Sequence, residues 1–200
     1  MPDFYDFHER LQFSEGVGLT AEILDHILKH IPAANRITRA MQDDDRNGTD
    51  YWVHREHNLP PVSIDMKNRE LDPIANGWGD DICIETTSVY RGPEARPYRD
   101  DLRKKPGWTL DERKRTDLIV YTWPHPADLF GEPRLRYWIL YFPFLCAASL
   151  KHWRKWVSEY GEKSTRNPTY LTLNTYVPRV VVAAAIRDFT SGVIGGQEAA

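Results

Sequence analysis

The segment Val62-Ser63-Ile64-Asp65-Met66-Lys67 decides the fold that the sequence predicts. Apolar residues alternate with polar ones along it, which is typical of a β-strand that buries one of its two faces. Successive side chains of a strand point to opposite faces, so Asp65 and Lys67 are expected to lie side by side, away from the apolar positions. A carboxylate and an ammonium group therefore share one face of this predicted strand.

Two neighbouring segments are predicted strands for the same reason, and each carries an acid. They read Thr49-Asp50-Tyr51-Trp52-Val53 and Ile82-Cys83-Ile84-Glu85-Thr86-Thr87. If the three strands are adjacent, Asp50, Asp65 and Glu85 gather on one side of a sheet. Carboxylates that lie so close repel one another, and one of them would have a raised pKa unless a cation is present. Oxygen ligands with a carboxylate majority suit a hard ion, so the sequence predicts a site for Mg²⁺ or Mn²⁺.

Asp50 followed by Asp65-Met66-Lys67 resembles the signature of the PD-(D/E)XK nuclease superfamily, which has the restriction-endonuclease-like fold. The similarity covers roughly residues 43–123 and is strongest to phage- and prophage-encoded members. It departs from the usual pattern at Thr49, where the superfamily has Pro before its first Asp. Besides the signature, the similarity includes the runs at residues 81–85, 106–108 and 116–121.

The resemblance implies an α/β fold with a mixed central sheet flanked by helices, in the order helix, three antiparallel strands, helix and strand. It also implies a divalent-metal-dependent phosphodiesterase that acts on nucleic acid, which we expect to be DNA. Asp50, Asp65 and Glu85 would hold the ion, and Lys67 would orient water or stabilise charge on the phosphate. Many nucleases of this superfamily act as dimers, so a homodimer is also an expectation.

Composition predicts one compact domain over residues 1–200, with a frayed tail from about residue 192. The chain has 200 residues, of which 41% are hydrophobic, and this is ordinary for a globular domain. We expect no membrane segment, because no apolar run reaches about 18 residues, and no signal peptide, because the first residues lack a basic start and an apolar core. Cys83 and Cys146 are expected to be reduced. These features predict a cytoplasmic protein, in the host cytoplasm if the chain is phage-encoded.

The net charge of −3 argues mildly against a protein that coats DNA through a global positive field. Basic residues nevertheless cluster locally, and one cluster follows the Pro-Gly-Trp turn at residues 106–108. The alternative interpretation of any such run is a solvated surface of mixed charge. We expect this cluster to contact phosphates, and it consists of Arg113, Lys114 and Arg115.

Periodicity predicts the remaining elements. Thr20 is expected to cap a helix whose apolar residues repeat at helical spacing to Ile31, and Pro32 either ends it or begins a second helix through Ala40. Further strands are predicted at residues 117–121, 136–142 and 170–175. Helices are predicted after residue 143 and from Pro178 to about residue 189, with a long loop over residues 91–108.

Two other functions stay open. A non-catalytic protein of the same fold could bind nucleic acid or a protein partner, although it would have no need to keep all four site residues. A structural Ca²⁺ site is disfavoured by Lys67, whose ammonium group competes with the cation. His54 could approach a substrate, although packing in the nearby turn explains it equally well.

Overall fold

The computed structural model describes residues 20–41, 48–68, 81–90, 103–124, 135–166 and 170–195. These ranges hold three α-helices and nine strands, so the protein has an α/β fold. The chain divides into two compact units, one made of Met1–Gly79 with Arg115–Tyr141 and the other of Asp80–Lys114 with Phe142–Ala200. Each unit contains one sheet. The tail from residue 196 lies outside the described residues, and helix persists as far as Gly195.

The first unit combines one helix with a five-stranded sheet. Its elements are α1 (Ala21–His30), β1 (Ala34–Arg39), β2 (Tyr51–Arg55), β3 (Val62–Asn68), β6 (Leu118–Pro124) and β7 (Leu135–Tyr141). The strand order is β1-β2-β3-β6-β7. Only the β3–β6 pair is parallel, and the other three pairs are antiparallel. The sheet is therefore mixed, as predicted.

Helix α1 covers one face of this sheet. The hydroxyl of Thr20 accepts a hydrogen bond from the Ile23 amide at 3.4 Å, which confirms the predicted cap. Ile23 and Ile27 are fully buried, and Ile64 of β3 packs in the same core cluster. Alternation along β3 then places Ser63, Asp65 and Lys67 on the sheet face opposite α1.

The second unit contains a four-stranded antiparallel sheet in the order β5-β4-β9-β8. Its buried residues include Ile84, Val177 and Trp156, which are at most 2% exposed. Its elements are β4 (Asp81–Tyr90), β5 (Arg103–Pro106), a 3₁₀ turn (Trp108–Leu110), α2 (Phe142–Tyr160), β8 (Lys163–Arg166), β9 (Tyr170–Pro178) and α3 (Arg179–Gly195).

One sequence prediction about architecture is wrong. The three acid-bearing strands were expected in one sheet, but β4 pairs with β5 and β9 in the second unit, and β3 lies between β2 and β6. Of the two alternatives at Pro32, the first is confirmed: helix α1 ends at His30, and the chain after Pro32 forms strand β1. Consequently β1, β2 and β3 are the three successive antiparallel strands. A smaller difference is that β5 lies within the predicted long loop.

Candidate active site

Asp50 lies immediately before β2, and the sheet holds its backbone on both sides. Its amide donates to the Ile64 carbonyl oxygen at 2.7 Å, and its own carbonyl oxygen accepts from the Ala40 amide at 2.8 Å. In β2 and β3, Tyr51 pairs with Ile64 and Trp52 with Ser63. One further step in this antiparallel register sets Asp50 opposite Asp65. The sequence prediction that Asp50 and Asp65 share a sheet face is confirmed.

Asp65 is buried in the middle of β3, and Lys67 accompanies it on the same face. The side chain of Asp65 is 3% exposed, and its Oδ1 accepts a hydrogen bond from Nζ of Lys67 at 2.6 Å. The other oxygen, Oδ2, is buried and has no hydrogen-bond partner among the described residues. A buried carboxylate oxygen without a partner is costly, since it has lost its hydration. The site therefore has one strong acceptor that a cation or a proton donor would stabilise.

The electrostatics of Asp50 indicate crowding of negative charge. Burial raises the pKa of Asp50 to about 6, and repulsion from Asp65 adds to this effect. The Met66 amide, which donates to Oδ2 of Asp50 at 2.6 Å, and the charge of Lys67 both oppose the rise in this pKa. One ammonium group does not compensate two neighbouring carboxylates here.

Asp117 fixes the start of β3, and sequence reasoning did not identify this role. Its Oδ2 accepts from the Ser63 amide at 2.8 Å and from the Ser63 hydroxyl at 2.9 Å. The Arg115 carbonyl oxygen lies at the same 2.9 Å from the Ser63 hydroxyl oxygen, so it competes with Asp117 for the single hydroxyl proton. Because Ser63 is two residues before Asp65 on the same face, these bonds hold the strand that carries the site. The partners are 54 residues apart, and no local sequence pattern signals such a contact.

Glu85 has surroundings that differ from those predicted. It lies in β4, opposite Asn174 of β9, in the sheet of the second unit. Its Oε1 accepts from the Trp108 amide at 3.3 Å, and its own amide donates to Oγ1 of Thr109 at 3.1 Å. These bonds attach the 3₁₀ turn to β4, which is a structural role. The prediction that Glu85 lies on a strand adjacent to those of Asp50 and Asp65 is therefore wrong.

The three predicted phosphate-binding residues divide between the two units. Arg113 and Lys114 end one segment of the second unit, and Arg115 begins a segment of the first. The exposed guanidinium of Arg113 binds both carboxylate oxygens of Asp111, at 2.9 and 3.0 Å. This ion pair neutralises part of the positive charge that the sequence assigned to the cluster. Arg115 is exposed, and its backbone is tied to β3 through Ser63.

The donor atoms around Asp65 suit a divalent ion in type and are few in number. No group of three or more His, Cys, Asp or Glu side chains suited to a metal occurs in the described parts of the chain. Asp50 and Asp65 nevertheless supply carboxylate oxygens, and one of these, Oδ2 of Asp65, is buried with no partner in the described parts of the protein. Mg²⁺ is commonly bound through one or two carboxylates, with waters completing its octahedron. The pair fits such an ion.

Comparison with known proteins gives no match. No protein-family model matches the sequence, and no curated protein or solved structure is significantly similar to it. Within the described ranges, no α-helix has the length and apolar content needed to span a membrane.

Proposed function

We propose that the protein is a divalent-metal-dependent phosphodiesterase that cleaves nucleic acid, with DNA as the expected substrate. One observation carries the proposal: buried Asp65 has one oxygen bound to Lys67 and the other without a partner among the described residues, beside Asp50 with its raised pKa. A purely structural ion pair gains nothing from a second buried carboxyl group. A site that recruits a cation needs excess negative charge of this kind.

The strand order of the first unit supports a restriction-endonuclease-like core. Helix α1 precedes three successive antiparallel strands, and β6 then joins β3 in parallel. The sequence resemblance leads us to expect this order, with Asp50 before the second strand and Asp65 with Lys67 in the third. One departure is that the described residues between β3 and β6 contain β4, β5 and a 3₁₀ turn, and no α-helix.

In the proposed mechanism Asp50 and Asp65 would hold Mg²⁺ or Mn²⁺, which supplies Lewis-acid polarisation of the phosphodiester when bound. Lys67 places an ammonium group beside the carboxylates, where it can neutralise negative charge that develops on the phosphate. Its Nζ is held by Asp65 and is therefore positioned before substrate arrives. Hydrolysis adds water at phosphorus and expels a sugar oxygen, which leaves as a hydroxyl after taking up a proton.

A cleavage assay with matched variants tests this function. Purified protein would be incubated with plasmid, linear duplex, single-stranded DNA and RNA, with Mg²⁺, with Mn²⁺ and with a chelator. We expect cleavage of at least one substrate that requires the metal and is lost in Asp65→Asn and Lys67→Ala. The control is Lys29→Ala, because Lys29 pairs with exposed Asp25 on α1. Equal cleavage by all variants would indicate a contaminating nuclease and refute the proposal.

A second candidate is a non-catalytic protein that binds nucleic acid or a protein partner. The position of Glu85 in the other sheet favours it, since the described residues of the first unit bring only two carboxylates together. Binding of nucleic acid without cleavage of any substrate under Mg²⁺ or Mn²⁺ would support this alternative over the enzyme.

A further inference from the structure

A row of polar and aromatic side chains extends from the carboxylate pair across the same sheet face. In β1 and β2, Thr38 pairs with Trp52 and Arg36 pairs with His54. Trp52 also pairs with Ser63 of β3, so all of them share the face of Asp65. We name the residues Arg36, Thr38, Trp52 and His54 the β1–β2 strip.

The strip differs in exposure from the rest of this face. Trp52 and His54 are half-buried, and Arg36 is exposed. On the other side of β3, Ile119 and Tyr121 are fully buried. The face is therefore covered over β6 and partly accessible over β1 and β2. The strip is therefore the accessible part of this face, and a ligand that reaches the carboxylate pair along the face would contact it.

His54 is fixed in a defined orientation within the strip. Its Nε2 lies 2.9 Å from Oγ1 of Thr38, which is the distance of a hydrogen bond. This bond engages one ring nitrogen and orients the imidazole ring. Sequence reasoning could not separate a role for His54 in substrate binding from packing in the adjacent turn. The strand register places His54 on the site face, two residues beyond Trp52.

We propose that the β1–β2 strip binds an unpaired nucleotide adjacent to the phosphodiester that is cleaved. Trp52 stacks on the base, while His54 and Arg36 bind phosphate or polar base atoms. The base must be unpaired, because both faces of a base inside a duplex are already stacked on its neighbours. This inference rests on the proposed function, and it adds a substrate class: single strands, frayed ends or flaps bind more tightly than an intact duplex.

Binding without cleavage tests the inference. A fluorescently labelled oligothymidine and a blunt duplex of equal length would be titrated with protein in chelator, and anisotropy recorded. We expect the single strand to bind more tightly than the duplex. Trp52→Leu should weaken single-strand binding about tenfold, whereas Trp52→Phe keeps an aromatic face and should retain most of the affinity.

The matched control is Trp138→Leu. Trp138 is also half-buried and lies in β7, opposite Tyr121, so that β3 and β6 separate it from the strip. We expect this variant to bind like wild type. Equal losses in Trp52→Leu and Trp138→Leu would show a general effect of removing tryptophan and would overturn the assignment.

Arg36→Gln provides a second variant, and it should fold like wild type because Arg36 is exposed. It should reduce the slope of log affinity against log salt by about 0.7 for a single strand. The proposal for the strip would be refuted if folded Trp52→Leu bound the single strand with unchanged affinity and Arg36→Gln showed an unchanged salt slope. Duplex binding as tight as single-strand binding, or no binding of either oligonucleotide by wild type, would also refute it.

The test distinguishes failure of the strip from failure of the proposed function. If metal-dependent cleavage is lost in Asp65→Asn but the strip variants bind like wild type, the nuclease proposal would stand and the nucleotide-binding role of the strip would be rejected. If the protein cleaves nothing but its binding depends on Trp52, the nucleotide-binding role of the strip would stand and the nuclease proposal would be rejected.

Discussion

Nζ of Lys67 lies 2.6 Å from Oδ1 of Asp65, and the two side chains are 32% and 3% exposed. Another Lys–Asp pair, Lys29 with Asp25, has the same 2.6 Å separation, but its side chains are 67% and 63% exposed. Exposed pairs contribute about 0–1 kcal/mol because water screens them. Removing one partner of a buried pair is far more costly, since the remaining charge is left uncompensated. Distance alone does not distinguish these pairs, and burial does.

Replacing Lys67 should affect chemistry more than binding. If Lys67 acts on charge that develops only during the reaction, Lys67→Ala should lower the cleavage rate about 100-fold or more and leave nucleic-acid binding largely intact. Lys29→Ala should change neither quantity. Single-turnover cleavage and anisotropy measure the two effects separately. Parallel losses of binding and cleavage would contradict a role confined to the transition state.

A divalent ion should stabilise the folded protein. Because Asp50 and Asp65 crowd negative charge, millimolar Mn²⁺ should raise the melting temperature by mass action, as a ligand specific to the native state does. Asp65→Asn should abolish the shift, while Asp25→Asn on α1 should preserve it. Thermal unfolding with and without Mn²⁺ is the measurement. Identical wild-type melting temperatures in the two conditions would argue strongly against the site.

Asp50→Asn should stabilise the metal-free protein at neutral pH. Because the pKa of Asp50 is raised to about 6, the folded state retains a proton between about pH 4 and pH 6 that the unfolded chain releases. This group therefore favours folding as the pH falls through that window and disfavours it above about pH 6. The free energy of unfolding of the variant should exceed that of wild type by on the order of 2 kcal/mol at pH 7.5 and by almost nothing near pH 4.

Asp111→Asn is the matched control for this effect. A hydrogen bond from the Arg113 side chain lowers the pKa of Asp111, which is the opposite direction. Its replacement should not raise the melting temperature at pH 7.5. Denaturant unfolding at pH 7.5 and pH 4 measures the stability of both variants. If Asp50→Asn is less stable than wild type at both pH values, the negative charges of Asp50 and Asp65 are not crowded in the folded protein.

Gly107 should not tolerate a methyl group. A Cβ built on Gly107 would lie 2.1 Å from the Glu85 carbonyl oxygen, which is backbone and cannot move aside. We expect Gly107→Ala to destabilise the protein by about 3 kcal/mol. Gly161→Ala provides the comparison, because Gly161 has a φ of +74° but open space around it. Gly161→Ala should destabilise the protein by about 1 kcal/mol, because only the backbone conformation is unfavourable for alanine there.

Two substitutions separate structure from chemistry at Glu85. Since its carboxylate accepts from the Trp108 amide, Glu85→Gln should keep an acceptor there and preserve both stability and cleavage. Glu85→Ala removes the acceptor and should destabilise by about 1 kcal/mol. Denaturant unfolding and cleavage assays would be run on both. A stable Glu85→Gln protein that no longer cleaves would restore Glu85 to the site.

Much of the fold could be predicted because periodicity is a local property. Alternating residues marked β3, apolar residues at helical spacing marked α1, and an unbroken apolar run marked β6. The segment after Pro32 was ambiguous, because residues 34–39 alternate only weakly between the core and solvent. Its pairing with β2 decides that it is a strand, and this pairing is a tertiary interaction.

The sequence by itself determined that Asp65 and Lys67 lie on one face, because the two-residue period of a strand allows no other arrangement. It also restricted the chemistry to carboxylate oxygens beside an ammonium group. Only the tertiary structure decided which strands are neighbours: β3 joins β6 across 50 or so residues of chain, and β4 enters a separate sheet. Strand pairing depends on hydrogen bonds between segments that are distant in sequence, so a local pattern could place Asp50 and Asp65 correctly and still assign Glu85 to the wrong sheet.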